Sequence, residues 1–91
     1  MRKRDDPQYQ SRVAYSELWM ACYDAALAAA KKRTSKSKFV IYGAIAAISA
    51  SRACSELRDK PASVIREAGV DCVRKAEEIA REMVGERRLR R

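Results

Sequence analysis

The sequence predicts an all-α protein: a three-helix up-down-up antiparallel bundle forming a single domain of 91 residues. Three observations carry this. Apolar residues make up 47% of the chain while Gly and Pro number only three and two, which is too apolar for disorder and favours helix over sheet. Both prolines sit where a helix can begin, and the apolar positions of the last third recur at alternating steps of three and four. The predicted connections are short, so sequential helices should run antiparallel.

Helix 1 is predicted over about 7–31. Asp6 offers its carboxylate to a free backbone N–H, and Pro7 lacks only a donor that has no helical partner in the first turn. No breaker follows until the run from Lys31 to Lys38, where Thr34, Ser35 and Ser37 supply a stop and a new cap. Ala14, Leu18, Ala21, Cys22, Ala25 and Ala29 form the expected core face, flanked by Tyr15, Trp19 and Ala26. Met20, Tyr23 and Leu27 form a second stripe.

Helix 2 is predicted over about 39–58, after a basic loop at 31–38. Val40, Gly43, Ala47, Ala50, Cys54 and Leu57 keep strict three-four spacing and are expected to face inward, the small residues permitting close helix approach. Ile41, Tyr42 and Ile45 then fall on a second arc, because Ile45 precedes Ser49 and Arg52 by one and two turns.

Asp59-Lys60-Pro61 repeats the opening device and starts helix 3, predicted over about 61–84, with Gly85 as a left-handed stop before a basic tail at 85–91. Ala62, Ile65, Gly69, Cys72, Ala76, Ile79 and Met83 draw one apolar stripe. Arg66, Glu67, Asp71, Arg74, Glu77, Glu78 and Arg81 form the solvated face opposite. Ala68-Gly69-Val70-Asp71 resembles the turn of helix-turn-helix motifs. Ile65, where a small residue is wanted, and Lys75, where a buried aliphatic is wanted, argue against it. A break at Gly69 giving four shorter helices is the alternative to one continuous helix.

Two stripes on one helix exceed what a three-helix bundle can bury. Met20, Tyr23, Leu27, Ile41, Tyr42 and Ile45 are therefore expected to form an oligomer or partner interface, most simply in a twofold dimer. The competing expectation is that helix 2 is central and helix rotation hides this surface. At this length a monomer buries only roughly 60% of its unfolded surface, which leaves a thin core.

The net charge of +8 is concentrated. Residues 31–38 carry five positive charges and residues 86–91 a net +3, which together equal the whole excess. An up-down-up bundle brings Lys31, Lys32, Arg33, Lys36, Lys38, Arg87, Arg88, Arg90 and Arg91 to one end, beside the N–H groups that open helix 2. Such a cluster suits phosphate binding by counterion release, while cations at two helix C-termini also simply oppose the dipoles. No aromatic residue interleaves the basic clusters, so base stacking is not expected and sequence specificity should be weak.

Other chemistries are disfavoured. Without His, neither Ser-His-Asp nor Cys-His constellations nor His-based zinc sites can be built within one chain. Cys22, Cys54 and Cys72 contain no Cys-x-x-Cys pair and read as small buried thiols rather than a disulfide framework. Tyr9, Tyr15, Tyr23, Glu17 and Asp24 could share a polar site, but their spacing demands none, so no enzyme, cofactor or metal is expected. The 12-residue apolar run from Phe39 to Ala50 is too short to span a bilayer, and no export signal is evident, so the expected location is cytoplasmic.

The expected function is a small non-enzymatic binding protein that oligomerises through helices 1 and 2 and contacts nucleic-acid phosphates with its basic end. The alternative is a protein-protein interaction module, an adaptor or a small phage or mobile-element inhibitor, gripping a target with the same apolar stripes. Its basic end would then meet an acidic protein surface.

Overall fold

The computed structural model describes residues 6–32 and 39–89, with side chains at 6–31 and 42–85. It is an all-α three-helix bundle. α1 spans Pro7–Lys32, α2 spans Phe39–Cys54 and continues into a 3-10 turn at Ser55–Leu57, and α3 spans Ala62–Leu89.

The first helix starts as its sequence dictates. Asp6 Oδ1 accepts the Gln8 N–H at 2.9 Å and the Asp6 carbonyl accepts the Gln10 N–H at 3.0 Å, the geometry of an N-cap. The second start is built differently from the expected repeat of this device. Asp59 takes a left-handed conformation, φ 78°, and forms the reversal itself, while the Pro61 carbonyl accepts the first helical N–H, that of Ile65, at 3.1 Å. Asp is one of the few side chains that tolerates this region, because its short polar side chain can bond locally. α2 tightens after Cys54 rather than continuing to 58. Ser55 Oγ donates to the Arg52 carbonyl at 3.1 Å, a local bond that competes with the helical ladder. At the far end α3 runs through Gly85, which is not left-handed, to Leu89. Good helix formers surround Gly85, and among the described residues nothing lies within 4 Å of where a Cβ would stand. Gly69 likewise lies inside one continuous helix, so α3 is not divided.

Side-chain contacts set the helix directions. Ser11 Oγ donates to the Lys60 carbonyl at 2.7 Å, and a Cβ at Gly69 would stand 3.8 Å from Leu18 Cδ1, so α1 and α3 run parallel. Cys22 Sγ lies 3.6 Å from Cys54 Sγ and Ser49 Oγ lies 3.9 Å from Met83 Sδ, so α2 runs antiparallel to both.

The core is a seam of small residues. Of the seventeen buried apolar residues among those described, nine are Ala and three Cys; Leu18, Tyr42, Ile45, Ile65 and Val84 complete the set. Of the stripe expected on α3, Ile65, Cys72 and Ala76 are buried and Ala62, Gly69, Ile79 and Met83 are half-buried, while Ala80 and Val84 beside it are buried. On α1 the buried arc includes Ala26 and Ala30, while Ala21, expected inside, is exposed.

α2 is rotated from expectation. Tyr42, Ile45, Ala46, Ser49, Ala50, Ala53 and Cys54 are buried, whereas Gly43 and Ala47 lie at the edge. Ser49 is the reason that its arc misleads. The hydroxyl is spent on the Ile45 carbonyl one turn back, at 2.7 Å, so a polar side chain enters the core satisfied.

Two substitutions on neighbouring turns of α3 should move stability in opposite directions. Gly69→Ala places a methyl at ordinary contact distance from Leu18 and removes backbone freedom, so it should stabilise by about 0.5–1 kcal/mol. Ile65→Ala empties the largest fully buried side-chain site and should cost about 2–5 kcal/mol. Urea denaturation followed by circular dichroism measures both.

Candidate functional site

Two surfaces follow from this architecture. The first is one end of the bundle. Because α1 and α3 run parallel and α2 returns between them, α1 ends at Lys32, α2 begins at Phe39 and α3 finishes at Leu89, all at the same end. Two helix C-termini, whose carbonyls attract cations, therefore flank one N-terminus, whose N–H groups attract anions, and no acidic residue occupies the first turn of α2. Of the nine basic candidates, Lys31 is exposed at this end, and Lys32, Arg87 and Arg88 continue α1 and α3 as helical backbone. Arg33, Lys36, Lys38, Arg90 and Arg91 lie outside the described residues.

The second surface runs along α1 and α2, and here the expected residue set divides. Met20 is 50% exposed. Tyr23 and Leu27 are half-buried against the core. Tyr42 and Ile45, expected at the interface, are only 5% and 4% exposed and belong to the chain's own core. That is a correction, and the rotation of α2 around the satisfied Ser49 explains it. Ile41 is helical backbone whose side chain is not described.

In place of Tyr42 and Ile45, the outer face of α2 presents Ala44, Ile48 and Ser51, continued by Ser55 in the 3-10 turn, with Ile48 40% exposed. Its first charge is Arg52. This arc had a signal in the sequence: small and hydroxyl side chains at three-four spacing with one large aliphatic among them.

An aromatic pair spans the seam between α1 and α2. Trp19 stacks on Tyr23 with ring centroids 5.5 Å apart and planes 20° from parallel. Trp19 Nε1 donates to Ser51 Oγ at 3.3 Å, and the Tyr23 hydroxyl packs on the α2 backbone at Gly43, where a Cβ would come within 3.6 Å. One pair thus reaches α2 at two points eight residues apart, and Met20 on α1 and Ile48 on α2 are exposed. Arg12, Glu17 and Asp24 are exposed on α1 and Arg52 on α2, so α1 carries exposed charge of both signs.

All three thiols are buried. Burial pushes Cys22, Cys54 and Cys72 above the ordinary thiol range, which keeps them protonated and poorly nucleophilic. Tyr15 is shifted upward as well, chiefly by burial. Among the described residues no group of His, Cys, Asp or Glu is arranged to hold a metal, every buried side-chain nitrogen or oxygen has a hydrogen-bond partner, and no helix is long and apolar enough to cross a membrane.

No family model matches the chain, and no curated protein or solved structure matches it either.

The division between core and surface is measurable. Tyr42→Ala should cost about 3 kcal/mol or more in urea unfolding, whereas Met20→Ser should change stability by less than about 0.5 kcal/mol. Similar losses for both would mean that Met20 is covered by something other than solvent.

Proposed function

We propose that this chain is a small, basic, non-enzymatic binding protein that self-associates through α1 and α2 and contacts nucleic-acid phosphates with its basic end. The observation that carries the reading is the convergence of three helix termini at one end. The segments that hold the net charge, 31–38 and 86–91, adjoin those termini in sequence, which supports a shared basic end. Clustered Lys and Arg bind a phosphate backbone by releasing its counterions and need no hydrogen bond to a base. DNA and RNA share that chemistry, so weak sequence preference follows.

The self-association part rests on the α1–α2 surface. The Trp19–Tyr23 pair is partly buried and Met20 and Ile48 are exposed, and a twofold arrangement can cover this apolar surface with a second copy. Burying a large apolar side chain contributes about 1.5–3 kcal/mol, a substantial fraction of the total stability of about 5–15 kcal/mol usual for a domain.

The two parts separate in experiment. Binding of a short duplex and of a single strand should weaken steeply with salt. Replacing Lys31, Lys32, Arg33, Lys36 and Lys38 with Ala should lower the slope of log K against log salt by up to about 0.9 for each phosphate that is no longer neutralised. An unchanged slope would remove the loop from the reading. Sedimentation at micromolar concentration should give twice the chain mass for the native protein and a shift toward monomer for Met20→Asp/Ile48→Asp. A nuclease-resistant protein partner in a pull-down, with no salt-sensitive nucleic-acid binding, would favour the protein-interaction module instead.

A further inference from the structure

α1 and α2 meet through sulfur. Cys22 and Cys54 are both 0% exposed, and their Sγ atoms stand 3.6 Å apart, with the Cys54 thiol directed at Cys22. The two residues are 32 positions apart in sequence and are brought together only by the antiparallel packing of their helices. A disulfide requires an S–S separation of about 2.05 Å, so the sulfurs need to approach by roughly 1.5 Å.

We propose that Cys22 and Cys54 form a buried dithiol that a peroxide converts into a disulfide joining α1 to α2. One thiol attacks hydrogen peroxide, the O–O bond breaks, and a sulfenic acid and one water result. The second thiol then displaces the sulfenic hydroxyl, forming the S–S bond and releasing a second water. Two thiols are oxidised by two electrons, one peroxide is reduced, and the two thiol protons leave in the waters. A thiol reductant reverses the step by exchange.

The site selects its oxidant by size and its rate by burial. A peroxide is small enough to enter during a local opening, whereas a bulky disulfide such as oxidised glutathione needs the helices to separate. Because burial holds both thiols protonated, the reaction is slow compared with that of an exposed cysteine. The bridge closes the α1–α2 hairpin, including residues 33–38, and thereby restricts the unfolded chain. The dithiol neither needs nor excludes nucleic-acid binding at the basic end.

Peptide mapping of the full-length protein tests it. Reduced protein is treated with hydrogen peroxide under native conditions, quenched with catalase, denatured, alkylated with iodoacetamide and digested with trypsin, which leaves the three cysteines on separate peptides. The expected product has one alkylated thiol, Cys72, and one link between the peptide at 13–31 and the peptide at 53–58, removed by dithiothreitol. The oxidised form should melt higher by on the order of 10 °C. Cys72→Ala should retain the link and Cys22→Ala should abolish it; if either variant fails to fold, the wild-type map still decides. Three alkylated thiols, sulfinic or sulfonic products, a link through Cys72, an intermolecular link, or a bridged form that melts no higher than the reduced one would each overturn the proposal.

Discussion

The constraint on which the rest of this structure depends is the smallness of its core side chains. Ala14, Ala26, Ala29 and Ala30 on α1 face Ala46, Ala50 and Ala53 on α2 and Ala76 and Ala80 on α3, with cysteines between them. Side chains this short cannot fill the gap between widely spaced helices, so the helices must approach at the near end of the usual 8–10 Å range or leave voids. Close approach then decides what fits elsewhere. Trp19 and Tyr23 are only partly buried against the seam, which puts an aromatic pair where solvent or another molecule can reach it. The same proximity sets two sulfurs from different helices 3.6 Å apart.

A seam of alanines also buries little apolar area per residue, at a length where the buried fraction is already low. The few large core side chains, Leu18, Tyr42, Ile45, Ile65 and Val84, therefore carry a disproportionate share of stability. They are spread over all three helices. The seam also explains why apolar surface persists outside: the groups large enough to contribute most by burial, Met20 and Ile48 among them, lie on faces the close-packed interior cannot accept. Charge is arranged to the same geometry, with acids along α1 and α3 balancing the basic residues of the helices and the excess left to the segments at one end.

Local rules and tertiary context parted at identifiable residues. Asp6-Pro7 behaves as capping chemistry requires, because nothing but the adjacent backbone is involved. Asp59-Lys60-Pro61 looks equivalent but lies between two packed helices, and the reversal forced there puts Asp59 into the left-handed region. Gly85 marks a plausible stop in isolation, yet the helix propensity around it carries α3 to Leu89. The α3 stripe was legible since its apolar and charged arcs are distinct. The face of α2 was not, because nearly every residue from Phe39 to Ser51 is apolar or small and the wheel has no polar side to orient it. With that ambiguity, spacing alone places Tyr42 and Ile45 on the surface and does not single out Ile48.

The amino-acid sequence by itself determined the helical class, the three elements and their approximate limits, the inward stripe of α3, the absence of histidine chemistry and the concentration of charge in two segments. These depend on composition, periodicity and caps, which act within a few residues. Only the tertiary structure decided which face of α2 turns inward, that Ser49 enters the core by bonding to the Ile45 carbonyl, that Trp19 and Tyr23 span two helices, and that Cys22 meets Cys54. Each of those outcomes turns on the rotation of one helix against another. In a seam of alanines that rotation is set by the fit of a few large side chains, which no local pattern encodes.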